Sequence, residues 1–230
     1  MHAPFQTLPD PLPGDPMPLA STWFRQAWDE QVQRNPNSMT LATTDTDGKP
    51  SVRIMLCKEI VADPGYLVFY TNYGSRKGRE LAEHPWAAVV FHWDALGRQL
   101  RIAGPVVRAL ASESDDYFAS RPWRSRLAAI TSEQSAPIAS RQRLLERLRD
   151  TAARHGTPDP FTAPDDDQEP GLRLPRPDNW GGHRLWAVEV ELWVEGEHRL
   201  HDRARWTREL VPACNGRFHA ESWRHQRLQP

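Results

Sequence analysis

The densest group of side chains that could do chemistry is the segment 193–203, WVEGEHRLHDR. In an extended segment Arg199, His201 and Arg203 share one face, which could hold a planar anionic ligand by charge and stacking beside Trp193. A zinc site is poorly supported because no cysteine or third histidine completes a ligand set. No nucleophile elbow supports a serine hydrolase. A solvated run of charges is the alternative.

A second group follows a predicted strand. In residues 70–77, YTNYGSRK, a turn with glycine precedes a helix that opens with Ser75, Arg76 and Lys77. Cations in a first turn oppose the helix macrodipole. A bound anion would remove that conflict, because free amide N–H groups and both cations would point at it. A pair of surface cations is the alternative.

The third group is the strand segment 53–58, RIMLCK. Alternation places Lys58 on the same face as Ile54 and Leu56, and Arg53 on the opposite face. A lysine that ends an apolar face indicates either an anion contact or a solvated strand end.

A fourth group is less specific. Tyr117, Arg121 and Ser125, together with Lys58, have the donors of a phosphate site. The segment 132–135, SEQS, adds further polar groups. Composition alone does not show that these residues converge.

Short strands and a few helices must position these groups. No glycine-rich nucleotide loop follows a strand and no Walker loop is present. The pattern predicts a closed or partly closed antiparallel barrel, mainly β with peripheral helices. We expect Pro105 to create a bulge or an edge. Helices are predicted from Ser21 to the residue before Asn35-Pro36 and over 75–83, 112–120, 125–130 and 139–154, and strands over 39–43, 51–60, 66–71, 86–93, 99–110, 184–194, 204–209 and 222–228.

Two proline-rich segments interrupt this pattern. Residues 1–20 contain six prolines and are expected to form a flexible N-terminal arm. Residues 155–179 contain six more and the acidic run 165–167, which indicates a solvated, flexible loop. Residues 21–230 are then one domain that carries this loop.

Bulk properties exclude several classes. The formal net charge is −1, which gives no support for binding nucleic acid or an anionic membrane. No apolar run approaches the roughly 20 residues that span a bilayer. Cys57 and Cys214 show no metal-ligand spacing and no disulfide framework, so we expect a cytoplasmic protein without metal.

Taken in order, these motifs resemble the pyridoxine/pyridoxamine 5'-phosphate oxidase family from about residue 37 to residue 230, apart from the loop. The resemblance implies an FMN-binding split β-barrel that works as a homodimer with FMN at the subunit interface. It implies oxidation of phosphorylated B6 vitamers by O2, which yields pyridoxal 5'-phosphate and H2O2. The likeness is carried by residues 53–58, 69–72, 74–77, 98–99, 117–118, 120–122, 134–135, 180–182 and 193–203.

Matching positions carry the family's roles onto this chain. The FMN contacts fall on Arg53, Ile54, Met55, Leu56, Cys57, Lys58, Tyr70, Thr71, Arg76, Lys77, Gln99, Gln134, Ser135, Trp193 and Arg203. The substrate phosphate falls on Lys58, Tyr117, Arg121 and Ser125. The substrate ring falls on the catalytic pair Arg199 and His201.

The chain also departs from the family pattern. Leu192 stands where an aromatic residue is usual, and Val194 where a polar one is common. The N-terminal arm is proline-rich and acidic instead of basic and glycine-rich, so no lid contacts are assigned to it. Asp202 lies on the alternate face of its segment and is expected to be structural.

Two other functions remain open. A sister flavin oxidase of phenazine pathways shares the fold and a similar ending, Leu228-Gln229-Pro230, but tends to lack the substrate-phosphate residues that are present here. A flavin-binding or haem-binding split-barrel module without turnover is the second alternative. The Arg199 and His201 pair argues against it.

Overall fold

The fold is defined by a computed structural model that describes residues 7–164 and 173–230. The chain divides into two compact units. The barrel unit comprises Met1–Phe69, Glu80–Arg108 and His183–Pro230, and the second unit comprises Tyr70–Arg79 and Ala109–Gly182.

Sixteen helices and strands follow one another along the described residues. They are α1 (Met17–Asp29), β1 (Ser38–Thr44), β2 (Pro50–Val61), β3 (Tyr66–Asn72), α2 (Arg76–Glu83), β4 (Trp86–Trp93), β5 (Arg98–Arg108), α3 (Ala111–Ala119), α4 (Trp123–Thr131), α5 (Arg141–Arg154), β6 (Trp180–Trp186), β7 (Glu189–Val194), β8 (Asp202–Thr207), β9 (Leu210–Pro212), β10 (Phe218–Ala220) and β11 (Arg224–Leu228).

The main sheet closes on itself. Its order is β11-β8-β7-β5-β4-β1-β2-β3-β6, and β6 also pairs with β5. Strands β5, β4, β1, β2, β3 and β6 therefore form a closed barrel, which β7, β8 and β11 extend from β5. The prediction of a mainly β barrel with helices around it is confirmed.

The barrel core follows from side-chain alternation along the strands. Met39 and Leu41 of β1, and Phe91 and Trp93 of β4, are almost fully buried. Each large apolar side chain buried in this way contributes about 1.5–3 kcal/mol. Because the opposite face of each strand is left free for polar residues, the barrel can carry chemistry on its outside.

Pro105 does not disrupt β5, contrary to expectation. The register with β4 runs without a break, and Pro105 pairs with Trp86. The partner on the other side of β5 is β7 as far as Ala103 and β6 from Val106 onward. Proline therefore occupies the place where β5 changes partners, so its missing N–H removes no ladder bond.

The single strand predicted over 184–194 is wrong, because the segment forms two strands, β6 and β7. Ala187 donates its amide to Gly65 O at 3.1 Å, and Val188 donates to Ala103 O at 3.0 Å. These two bonds to different parts of the chain turn the backbone between the strands. The short β9–β10 hairpin was also not predicted.

Helix α1 begins at Met17, four residues before the predicted start, and Pro16 is its N-cap. The preceding residues lie along the barrel unit: Leu8 is buried, and its amide donates to Asp202 Oδ2 at 2.8 Å. Trp206 Nε1 donates to Pro13 O at 2.8 Å. The flexibility expected of residues 1–20 stays a prediction, and residues 1–6 lie outside the described part.

The flanks of the proline-rich loop pack within the second unit. Arg124 donates to the carbonyl oxygens of Pro160, Ala163 and Pro164. Leu174 is buried in the same apolar cluster as Trp123. The acidic run 165–167 lies outside the described residues, and the flexibility of the loop stays a prediction.

The two cysteines should differ sharply in reactivity. Burial raises the pKa of the Cys57 thiol to about 12, whereas Cys214 is exposed. Because the thiolate is the reactive species, a disulfide reagent at pH 8 should modify one thiol per native chain. Cys214→Ser should show no fast reaction until denaturant is added. Rapid modification of Cys57 in the folded variant would contradict this assignment.

Candidate functional site

Three residues predicted to bind FMN meet in one hydrogen-bond network of the second unit. Thr71 Oγ1 donates to Gln134 Oε1 at 3.1 Å, and Lys77 Nζ donates to the same oxygen at 3.0 Å. Lys77 is buried, with 6% of its surface exposed. These bonds link the start of α2 to the 132–135 segment. An anion site at the start of this helix would require that arrangement.

Ser75 caps α2, as predicted. Its Oγ accepts the amide of Gly78 at 3.2 Å and the ammonium of Lys77 at 3.2 Å. Arg76 is exposed in the first turn of the helix. Ser135 is exposed too and has a left-handed φ of 73°. Positive charge therefore surrounds amide groups at the helix start, which suits a phosphate.

The aromatic residues of the second unit form a stack. The Tyr70 and Tyr117 ring centroids are 4.0 Å apart, and those of Tyr70 and Trp180 are 5.5 Å apart. The Arg121 guanidinium lies 4.8 Å above Trp180. Gly182 permits this packing, since a Cβ there would lie 2.9 Å from Tyr70 Cε1.

Arg121 has a property expected of a residue that binds an anion. Its Nη1 is buried and has no hydrogen-bond partner among the described residues. Burial lowers the pKa of Arg121, which marks a guanidinium held away from water. Ser125 lies one turn further along, on α4. An anionic oxygen would satisfy the unpaired donor.

In the barrel unit, Arg53 is fixed by neighbours on three sides. Its Nη1 donates to Thr43 Oγ1 at 2.5 Å, and its Nη2 donates to Ser51 Oγ at 2.5 Å. Nη2 also pairs with the buried carboxylate of Glu80 at 3.2 Å. The predicted FMN contact is therefore positioned before any ligand binds.

The rest of β2 shows the predicted alternation. Ile54, Leu56 and Lys58 are exposed on one face, whereas Met55 is half-buried and Cys57 is fully buried. The thiol of Cys57 lies 3.2 Å from Glu59 O. Because the Cys57 side chain points into the core, only its backbone is available for FMN contact.

Trp193 and His201 lie against each other, with ring centroids 4.6 Å apart. Gly196 donates its amide to His201 Nδ1 at 3.3 Å, so the neutral ring carries its proton on Nε2. Gln99 is paired with Trp193 across the β5–β7 ladder. These three predicted site residues are therefore brought together.

The segment around Arg199 is a turn and not the extended run that was predicted. His198 and Arg199 have left-handed φ values of 55° and 65°. The seven residues 195–201 must reverse the chain between Val194 and Asp202, which are paired. Such a conformation costs about 1–3 kcal/mol per residue and often marks a functional site. Arg199 is left exposed.

Arg203 is held by a buried carboxylate. Glu191 Oε1 accepts Arg203 Nη2 at 2.7 Å and Nε at 3.1 Å, and Glu191 Oε2 accepts Arg101 Nη1 at 3.0 Å. Asp202 Oδ1 accepts Arg227 Nη1 at 2.5 Å. Asp202 is structural, in line with its predicted place on the alternate face.

Sequence reasoning missed both positioning carboxylates. Glu191 lies within the predicted strand 184–194 and Glu80 within the predicted helix 75–83, and the sequence assigned a role to neither. The sequence carries only an indirect signal for these two carboxylates, since each is an acid whose closeness to a predicted FMN-binding arginine appears only in the fold. Glu191 is opposite Arg205 in the β7–β8 ladder, and only the side-chain contact shows that it pairs with the diagonal neighbour Arg203.

Within residues 7–164 and 173–230, no group of three potential ligands could hold a metal ion. No helix in this part of the chain is long and apolar enough to cross a membrane. A cavity of about 490 Å³ lies beside the 132–133 segment and α5, lined in part by Arg147, Asp150 and Arg154.

Known proteins resemble this chain over nearly all its length. Residues 24–152 match the family described as pyridoxamine 5'-phosphate oxidase, and residues 180–230 match the pyridoxine 5'-phosphate oxidase C-terminal dimerisation region. A pyridoxine/pyridoxamine 5'-phosphate oxidase from Gloeothece citriformis is 45% identical over 208 residues, which cover 90% of this chain and 85% of the relative. An enzyme of the same name from Burkholderia mallei is 44% identical over 216 residues, 94% of this chain and 89% of the relative.

Solved structures show a similar likeness to this chain. PhzG from Burkholderia lata 383, in complex with tetrahydrophenazine-1-carboxylic acid, has a TM-score of 0.78 at 30% identity and covers 96% of this chain and 95% of its own. An FMN-binding protein from Nostoc punctiforme, related to pyridoxamine 5'-phosphate oxidase, has a TM-score of 0.62 at 18% identity. The match covers 90% of this chain and 97% of that protein, and at this identity it shows the fold alone. The chain belongs to the pyridoxamine 5'-phosphate oxidase family of split-barrel flavoproteins.

Proposed function

We propose that this protein uses FMN and O2 to oxidise pyridoxamine 5'-phosphate and pyridoxine 5'-phosphate to pyridoxal 5'-phosphate, with release of H2O2. Relatives at 44–45% identity carry the name of that activity. The observation in the structure that carries the proposal is the buried, unpaired Nη1 of Arg121. Arg121 matches the position at which the family resemblance implies a contact to the substrate phosphate.

The residues present fit FMN. The buried ammonium of Lys77, with Thr71 and Gln134, offers a phosphate site at the start of α2. Arg53 and Arg203 are both held in place by buried carboxylates. When bound, FMN would supply the redox chemistry that couples oxidation of the substrate C4' carbon to reduction of O2.

The protein's own residues would bind and orient the substrate. Tyr117, Arg121, Ser125 and Lys58 would hold the phosphate by charge and hydrogen bonds. Arg199 would hold the pyridine ring. His201 offers an Nε2–H donor whose direction is fixed by the Gly196 bond to Nδ1. Such positioning lowers the entropic part of the barrier.

A second copy of the chain completes this proposal. The dimerisation region of the family covers residues 180–230. Val52 and Ile54 are 66% exposed and Leu56 is 38% exposed on one face of β2, in the segment predicted to contact FMN. An apolar strand face of this kind suits a protein interface, so we place FMN between two subunits. A cytoplasmic location stays part of the proposal.

The second candidate is a phenazine-type oxidase, favoured by the TM-score of 0.78 with PhzG. The ligand of that structure is a carboxylic acid without phosphate. Retention of Tyr117, Arg121 and Ser125 favours the phosphorylated substrate. The 30% identity to PhzG is also lower than the identity to the B6 oxidases.

One assay separates these functions. Protein loaded with FMN should consume O2 with pyridoxamine 5'-phosphate or pyridoxine 5'-phosphate and release equimolar H2O2 and an aldehyde. The unphosphorylated vitamers should react far more slowly, because they lack the phosphate contacts. A flavin-loaded protein that turns over neither phosphorylated vitamer would contradict the proposal and favour the phenazine-type function.

Lys77→Ala should weaken FMN binding. A hydrogen bond to a charged group is worth about 1.5–3 kcal/mol, so the dissociation constant measured by flavin fluorescence should rise roughly 10- to 150-fold. Lys49→Ala is the control, since Lys49 is 72% exposed in the β1–β2 turn. Equal FMN affinity in the two variants would remove Lys77 from the site.

Arg199→Ala should impair substrate use and spare FMN. Loss of a charged contact to the substrate should lower kcat/KM roughly 10- to 100-fold, while the dissociation constant of FMN changes little. Arg224→Ala, at a side chain that is 77% exposed, serves as the control. A parallel loss of FMN would instead make Arg199 a flavin or folding contact.

A further inference from the structure

In the second unit, Arg121 and Arg126 each have a buried side-chain nitrogen without a hydrogen-bond partner among the described residues. Arg126 lies in the middle of α4, and its Nε is buried without a hydrogen-bond partner. Arg121, two residues before α4, has its Nη1 in the same condition. Neither side chain makes any other hydrogen bond or ion pair among the described residues, and the Arg121 guanidinium lies over the rings of Phe118 and Trp180.

The two guanidinium groups are close enough to act on each other. The pKa of Arg121 is lowered first by burial, is raised by Tyr117, and is lowered again by the positive charge of Arg126. Like charges brought together in this way are unfavourable unless an anion lies between them or beside them.

Other arginines of the protein have partners within the chain for several of their side-chain nitrogens. Arg124 lies between these two in sequence and donates to three carbonyl oxygens. Arg203 and Arg53 each pair with a buried carboxylate. The side chains of Arg121 and Arg126 have neither carbonyl nor carboxylate partners among the described residues, which favours an anionic ligand as their partner.

We propose that Arg126 is a second guanidinium of the substrate-phosphate site and binds the phosphate together with Arg121. This inference rests on the proposed function, which assigns the phosphate to Arg121. A phosphate monoester carries a charge of about −1.5 to −2 near neutral pH, so two arginines match it better than one. The pair would also favour phosphate monoesters over singly charged carboxylates.

The test uses binding, so it does not depend on turnover. 4-Deoxypyridoxine 5'-phosphate and 4-deoxypyridoxine form a matched pair of probes, because neither has an oxidisable C4' group or an aldehyde that could react with lysine. Their dissociation constants are measured by calorimetry on the FMN-loaded full chain. Arg126→Gln is compared with Arg126→Lys and with the surface control Arg143→Gln, whose side chain is 61% exposed.

We expect Arg126→Gln to weaken the phosphorylated probe about tenfold or more, as for a lost charged hydrogen bond. The unphosphorylated probe and FMN should bind as before, Arg126→Lys should recover part of the affinity, and Arg143→Gln should match the wild type. Unchanged affinity for the phosphorylated probe in Arg126→Gln would overturn the proposal. Equal weakening of both probes would also overturn it, because that outcome indicates a structural role.

Failure of the proposed function gives a different result. A chain that binds the phosphorylated probe through Arg126 but oxidises no B6 vitamer refutes the oxidase activity and leaves this inference standing. A melting temperature for Arg126→Gln at or above that of the wild type would further support the inference, because removing an unmatched charge should not destabilise the fold.

Discussion

The structure depends on how buried positive charge is balanced. In the barrel unit, Arg53 pairs with Glu80 and Arg203 with Glu191, and both carboxylates are about 5% exposed. A buried guanidinium needs such a partner, because loss of one member of a buried pair costs about 3–5 kcal/mol. In the second unit, Arg121 and Arg126 have no carboxylate partner among residues 7–164 and 173–230, and the proposed anionic ligand would balance their charge.

This difference has a functional meaning. Arginines that are paired in advance are held in one geometry and can orient a cofactor at little entropic cost. Arginines without a carboxylate partner would instead favour ligands that bring negative charge, as the proposed phosphate site requires. The turn at His198 and Arg199 also positions side chains. Its left-handed backbone presents Arg199 to solvent, and the amide of Gly196 fixes the ring of His201.

The sequence predicted what depends on local periodicity. Strand β4 was predicted to the residue, because Ala87, Val89 and Phe91 alternate with exposed positions. The prediction from the sequence failed where contacts between distant residues decide the secondary structure. The break between β6 and β7 follows from hydrogen bonds to Gly65 and Ala103. The site residues came from a family resemblance, whereas the partners Glu80 and Glu191 appear only once the strands and helices are packed.

The central claim is that one chain offers two distinct sites for phosphate groups, one at Lys77 and one at Arg121 and Arg126. Phosphorus-31 NMR on the protein with FMN and 4-deoxypyridoxine 5'-phosphate tests it most directly. The account predicts two bound resonances at once, with the second lost selectively in Arg121→Gln and the first retained. A single bound resonance, for which the two ligands compete, would contradict it.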